Sequence, residues 1–158
     1  MTPPNPRFMR EAIELSKMGF PAPNPRVGAV VVKDGEVVAR GFHEAAGQPH
    51  AEVVALSSAG SKAKGSDLYV TLEPCAHEGK TPPCTLAILD HCVARVIYAV
   101  DDPNPAAAGG ADFLREHSVH VEAGLLREAA AAENRIFLSR FLFGRPYVMV
   151  KSAISLDG

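Results

Sequence analysis

The sequence predicts a three-layer α/β/α sandwich around a mixed sheet whose first two strands form an antiparallel hairpin. Three observations lead there. Two apolar, β-branched runs, Val27 to Val32 and Val37 to Phe42, flank Lys33-Asp34-Gly35-Glu36, and Asp-Gly between such runs is a strong hairpin signal. Beyond the hairpin, helical patterns alternate with short apolar runs almost to the end of the chain. The 158 residues, 47% of them hydrophobic, can bury one core and leave little room for a second domain.

The elements follow in order. Phe8, Met9, Ala12, Ile13 and Met18 make a helical stripe from about Pro6 to Met18, closed by Gly19 and a proline-rich stretch. After the hairpin, Pro49 opens a helix from about His50 to Ala59. Asp67 to Leu72 reads as a strand, and Pro82-Pro83 starts a helix reaching about His91. Arg95 to Val100 is a strand followed by the turn Asp101 to Pro105. A helix over Ala111 to His117, a strand over Val119 to Glu122 and one long helix from Leu125 to about Leu142 complete the order. The tail, Tyr147 to Ala153, is strand-like.

Bulk properties narrow the function. The net charge is −2 with the signs interspersed, which argues against a nucleic-acid surface but leaves room for a small anionic ligand. No stretch is long and apolar enough to span a bilayer, and Met1 to Arg10 lacks the apolar core of a secretory signal. Three cysteines are too few for a disulfide scaffold, so the expected compartment is the reducing cytoplasm.

Two segments carry chemistry. The first is His50-Ala51-Glu52; the second is Glu73-Pro74-Cys75, continuing through Ala76-His77-Glu78-Gly79-Lys80-Thr81-Pro82-Pro83 to Cys84. Zinc deaminases share the signature His-x-Glu followed by Pro-Cys-x-x-Cys. The first half matches; in the second, eight residues separate the cysteines instead of two. One histidine and two cysteines supply three of four tetrahedral positions around Zn²⁺ and leave the fourth to water. Zinc lowers the pKa of a bound water from about 16 toward 7. An unligated carboxylate must then carry the proton to the ring and the leaving amine, and Glu52 is the candidate. Positions two apart on a helix do not share a face, so His50 and Glu52 can converge only through the geometry of the first turn. A lone cysteine is more often a small buried hydrophobe than a ligand, and Cys92 is expected to be one.

Together with Asn24-Pro25-Arg26-Val27-Gly28-Ala29-Val30-Val31, His43 and Asp102-Pro103-Asn104-Pro105, these segments make the chain resemble a known family. It is similar to the deaminase domain of the bifunctional riboflavin-biosynthesis deaminase–reductases, over nearly its whole length. The resemblance implies a cytidine-deaminase-like fold with a five-stranded mixed sheet. It also implies a phosphorylated pyrimidine substrate, 2,5-diamino-6-ribosylamino-4-pyrimidinone 5′-phosphate, whose 2-amino group is replaced by water. By the same analogy Asn24, His43, Ala51, His77, Lys80, Thr81 and Asn104 line the substrate pocket, and a homo-oligomer is expected. The insert between the cysteines must arch over the metal, and Lys80 and Thr81 suit a phosphate. Ala107 and Ala111 stand where the family usually has Val and Gly, which predicts a reshaped helix start there.

The domain division expected is 1–145 for the deaminase and 146–158 for a tail resembling the first strand of a reductase domain that is otherwise missing. The chain should then have no reductase activity, and a separate polypeptide could supply it. Two rival readings remain at this level: a deaminase of another base or nucleoside, and a non-catalytic zinc domain in which His43 or His77 fills the fourth position.

Overall fold

The computed structural model describes residues 2–77, 82–145 and 147–155. Strand β1 (Gly28–Lys33) turns directly into β2 (Glu36–Phe42), and both turn residues, Asp34 (φ 53°) and Gly35 (φ 81°), are left-handed, as a tight antiparallel hairpin requires. Three further strands, β3 (Asp67–Leu72), β4 (Arg95–Val100) and β5 (His120–Ala123), complete a sheet of order β2-β1-β3-β4-β5. β1 pairs antiparallel with β2 and β3, while β3, β4 and β5 run parallel. Every residue of β4 is buried, as expected of a parallel strand covered on both faces.

Helices cover the two faces. Helix α1 (Pro6–Ser16), whose first turn is capped by the Asn5 side chain, packs on one face beside α5 (Arg127–Glu133). Helices α2 (Ala51–Ala59), α3 (Cys84–Asp90) and α4 (Gly110–Glu116) line up on the other. The sandwich and the five-stranded mixed sheet thus match the sequence expectation. Where strands β3, β4 and β5 begin, the buried Arg95 guanidinium ties them together through Asp67 and Glu122, and reaches the Thr2 carbonyl at 2.7 Å. Among the described residues no helix is long and apolar enough to cross a membrane.

Helix α2 lies against β2 with no space to spare. A Cβ on Gly41 would sit 2.3 Å from the Ala51 carbonyl oxygen and 2.6 Å from the Ala55 nitrogen, both backbone atoms that cannot yield without moving the helix. Gly41→Ala is therefore expected to lower stability by about 3 kcal/mol, the upper range for overpacking. Urea melts check this, and a loss below about 1 kcal/mol would show that α2 can shift freely.

Three elements differ from expectation. The single long helix is two, α5 and α6 (Arg135–Leu142), broken at Asn134. There the buried Asn134 amide accepts from the Arg26 N–H (2.8 Å) and donates to the Arg26 carbonyl (2.7 Å). That tertiary pair outweighs continuation of the helix. The tail is not a strand: residues 147–155 are exposed and adopt no regular secondary structure, and β-branched side chains alone do not make a strand. Cys92 is exposed, not buried, because it sits at a left-handed turn (φ 52°) after α3.

Candidate active site

The site forms where β3 and β4 end and α2 and α3 begin. His50 is the N-cap of α2, with extended backbone (φ −70°, ψ 159°), and Glu52 is the second helical residue. This break in geometry at the cap resolves the spacing problem: both side chains reach one cavity although they are two residues apart. Cys75 follows β3 by three residues, and Cys84 is the first residue of α3.

Their donor atoms converge. His50 Nδ1 lies 3.1 Å from Cys84 Sγ and 3.6 Å from Cys75 Sγ, and the three ligand atoms all fall within 4.8 Å of one another. One imidazole and two thiolates at this spacing fit a zinc ion, whose bonds to N and S run about 2.0–2.3 Å. Among the described residues this is the one such group. Cys75 is held down to about 4 by hydrogen bonding from the Cys84 thiol, with His50 and the Cys84 backbone N–H, at 3.3 Å, assisting. Hydrogen bonding to Cys75 and burial push the Cys84 thiol up. Without metal the pair therefore holds one proton, and a bound cation displaces it. Glu52 is buried and joins no metal group; burial pushes it up to about 7.

His43 does not complete the coordination shell. Its Nδ1 is 3.1 Å from the Pro49 carbonyl, which can only accept, so Nδ1 carries the proton. Burial lowers its pKa, keeping the ring neutral, and Nε2 then accepts from Asn24 Nδ2 at 3.3 Å. This relay fixes the Asn24 amide and leaves its carbonyl oxygen available to a donor on a ligand. The fourth position is thus not filled by His43, and exposed His77 is not part of the metal group.

His50 and Cys75 open onto a cavity of about 380 Å³, while Cys84 is fully buried and does not line it. Of the residues expected there, Asn24, His43, His50, Glu52, Cys75, His77 and Asn104 line it. Ala51 does not: its side chain is fully buried at the start of α2. Lys80 and Thr81 lie outside the described residues. Sequence reasoning missed Gln48, Asp102 and Phe137 in the wall, and Glu73, whose buried carboxylate faces backbone N–H groups. Ala107 also lines the cavity and Ala111 is buried behind it, while α4 starts at Gly110, where a Cβ would strike the Pro74 carbonyl at 1.8 Å.

The chain is similar in sequence and fold to known proteins. The chain is 50% identical over 154 residues to the riboflavin biosynthesis protein RibD of Aquifex aeolicus, covering 96% of this chain and 43% of that protein. The structure superposes on Acinetobacter baumannii RibD with a TM-score of 0.92 and 49% identity, covering 97% of this chain and 44% of the other. A Thermotoga maritima diaminohydroxyphosphoribosylaminopyrimidine deaminase/5-amino-6-(5-phosphoribosylamino)uracil reductase aligns at TM-score 0.86 and 44% identity, over 90% of this chain and 42% of that one. The chain thus spans less than half the length of these relatives. A family model for the zinc-binding region of cytidine and deoxycytidylate deaminases matches residues 4–100. With three converging zinc donors inside that segment, the chain belongs to the cytidine and deoxycytidylate deaminase zinc-binding family.

Proposed function

We propose that this chain is a zinc-dependent deaminase of 2,5-diamino-6-ribosylamino-4-pyrimidinone 5′-phosphate, releasing ammonia and the corresponding pyrimidinedione in riboflavin biosynthesis. The observation that carries it is a three-donor metal cluster beside a buried, unligated carboxylate at the floor of a cavity sized for a pyrimidine nucleotide. The high identity to RibD proteins, one of them named for this deaminase, supports the substrate.

His50, Cys75 and Cys84 hold the metal, which supplies Lewis acidity and an activated water. Glu52 does the proton work. It takes a proton from the attacking water, delivers it to the ring nitrogen beside the reacting carbon, and returns the second to the departing amino group. Ammonia and a carbonyl result, with no other reactant. Burial of Glu52 suits this traffic, because a carboxyl poised near neutrality both accepts and gives. Asn24, oriented by His43, accepts from an N–H of the substrate, and Asn104 reads the opposite side; Lys80 and Thr81 hold the phosphate.

The same reading makes 1–145 the deaminase domain and 146–158 a tail resembling the first strand of a reductase domain. It places the protein in the cytoplasm as a homo-oligomer. The primary test is ammonia release from the freshly prepared diaminopyrimidinone ribosyl phosphate by zinc-loaded protein. Stoichiometric release, abolished by chelation and restored by zinc, is expected. Turnover of free cytosine or guanine with none of the phosphorylated substrate would overturn the substrate assignment.

A further inference from the structure

Glu73 directly follows β3, inside a run of buried residues that continues through Pro74 and Cys75. Its side chain is buried, and among the described residues no lysine, arginine or histidine pairs with it. A buried carboxylate without a cation must find donors elsewhere. These donors are all main-chain. Oε2 accepts from the Asp102 N–H at 3.2 Å; Oε1 accepts from Gly109 at 3.2 Å and from Ala111 at 3.0 Å. The two oxygens thus grip opposite ends of the 102–111 segment.

That segment forms one wall of the cavity. Asp102, Asn104 and Ala107 all line it. Between the gripped ends the loop is braced by its own short bonds, Asn104 N–H to Asp102 Oδ1 (2.9 Å) and Ala107 N–H to the Asn104 carbonyl (2.8 Å). These bonds shape the loop but do not attach it to the sheet. The attachment comes from Glu73, helped by the Ala76 N–H on the Ala107 carbonyl at 3.3 Å. Gly109 and Ala111 lie at the start of α4, so the negative charge also meets the positive end of that helix.

We propose that Glu73 is a positioning residue for substrate recognition: its carboxylate clamps both ends of the 102–111 loop and holds Asn104 and its neighbours in register with the metal cluster. This rests on the deaminase reading above. The clamp acts on binding and not on proton transfer, because what its carboxylate holds is the 102–111 loop, while Glu52 stands on α2.

The conservative variant separates these roles. In Glu73→Gln the amide oxygen still accepts from Gly109 and Ala111, but the amide nitrogen cannot accept from Asp102. One end of the loop is released and the other kept. In zinc-loaded protein, Glu73→Gln should raise KM about tenfold, the equivalent of one charge-assisted hydrogen bond, with kcat within about threefold of wild type. Zinc content should stay equal, and amide hydrogen exchange should quicken at 101–105 but not at 109–112. Glu73→Ala should quicken exchange at both ends. If Glu73→Ala fails to fold, the isosteric Gln variant alone decides. An unchanged KM, a loss confined to kcat, or zinc lost in step with activity overturns the proposal. If wild-type protein does not release ammonia, the deaminase reading falls by itself. The exchange data then decide the clamp, and equal exchange in wild type and Glu73→Gln overturns it.

Discussion

Glu52→Gln is expected to reduce ammonia release by about 10³- to 10⁴-fold while the protein still folds and still binds one zinc per chain. General acid–base catalysis contributes factors of this size. The substitution keeps the shape of the side chain, which is buried at the start of α2 against the cavity, and removes only its ability to take up and return a proton. Glutamine adds no charge to a buried position, so stability should not fall. The decisive comparison is turnover at matched zinc content. Near-normal release by the variant would move the proton work to another group. Besides Glu52 itself, Glu73, His77 and Asp102 are the titratable cavity residues outside the metal cluster and the Asn24 relay. Reduced turnover with reduced zinc would make Glu52 part of metal retention instead.

Cys84→Ser should have an equally large effect by another route. Zinc content is expected to fall below about a tenth of wild type, and activity with it. Cys84 is fully buried at the first position of α3, and its sulfur lies 3.1 Å from His50 Nδ1. A hydroxyl there stays protonated and is a poor zinc ligand, so two protein donors remain where three are needed. Stability should drop too, because a metal that binds only the folded state contributes about 4 kcal/mol when its concentration is a thousand times its dissociation constant. Chelated wild type is the control and should melt close to the variant. If the variant melts far below chelated wild type, Cys84 carries a packing role beyond its bond to zinc. Full zinc retention would remove Cys84 from the ligand set.

Much of this was legible from the sequence because local chemistry demanded it. Asp34-Gly35 requires left-handed backbone, and the hairpin forms there. His50, Glu52, Cys75 and Cys84 were identified by residue type and motif, since few other combinations satisfy zinc and move a proton. What escaped depends on partners far away in the chain. Nothing between Leu125 and Leu142 breaks a helix locally; the break comes from the bonds between Asn134 and Arg26. The tail has strand-forming residues but forms no strand, because β-branched side chains alone do not bring a segment to a sheet edge. Glu73 carried a faint signal, an acid just after a largely apolar strand and before Pro74-Cys75, yet its donors at 102, 109 and 111 could not be read before the loop was placed. Phe137, which lies on α6 just after that break, also lines the cavity.

The Asn134–Arg26 pair also has a bearing on the order in which the molecule becomes functional. The metal donors lie between residues 50 and 84, on segments joined through neighbouring strands and helices. The cavity wall draws on Pro23 at one extreme and Phe137 at the other, and the bonds between Arg26 and Asn134 close a loop of most of the chain. Contacts so distant in sequence form late, after the local hairpin and helices have reduced the entropy of closure. A chain emerging from synthesis can therefore gather its metal before it can enclose a substrate, and the pocket is sealed only when the last helices return to the first loop.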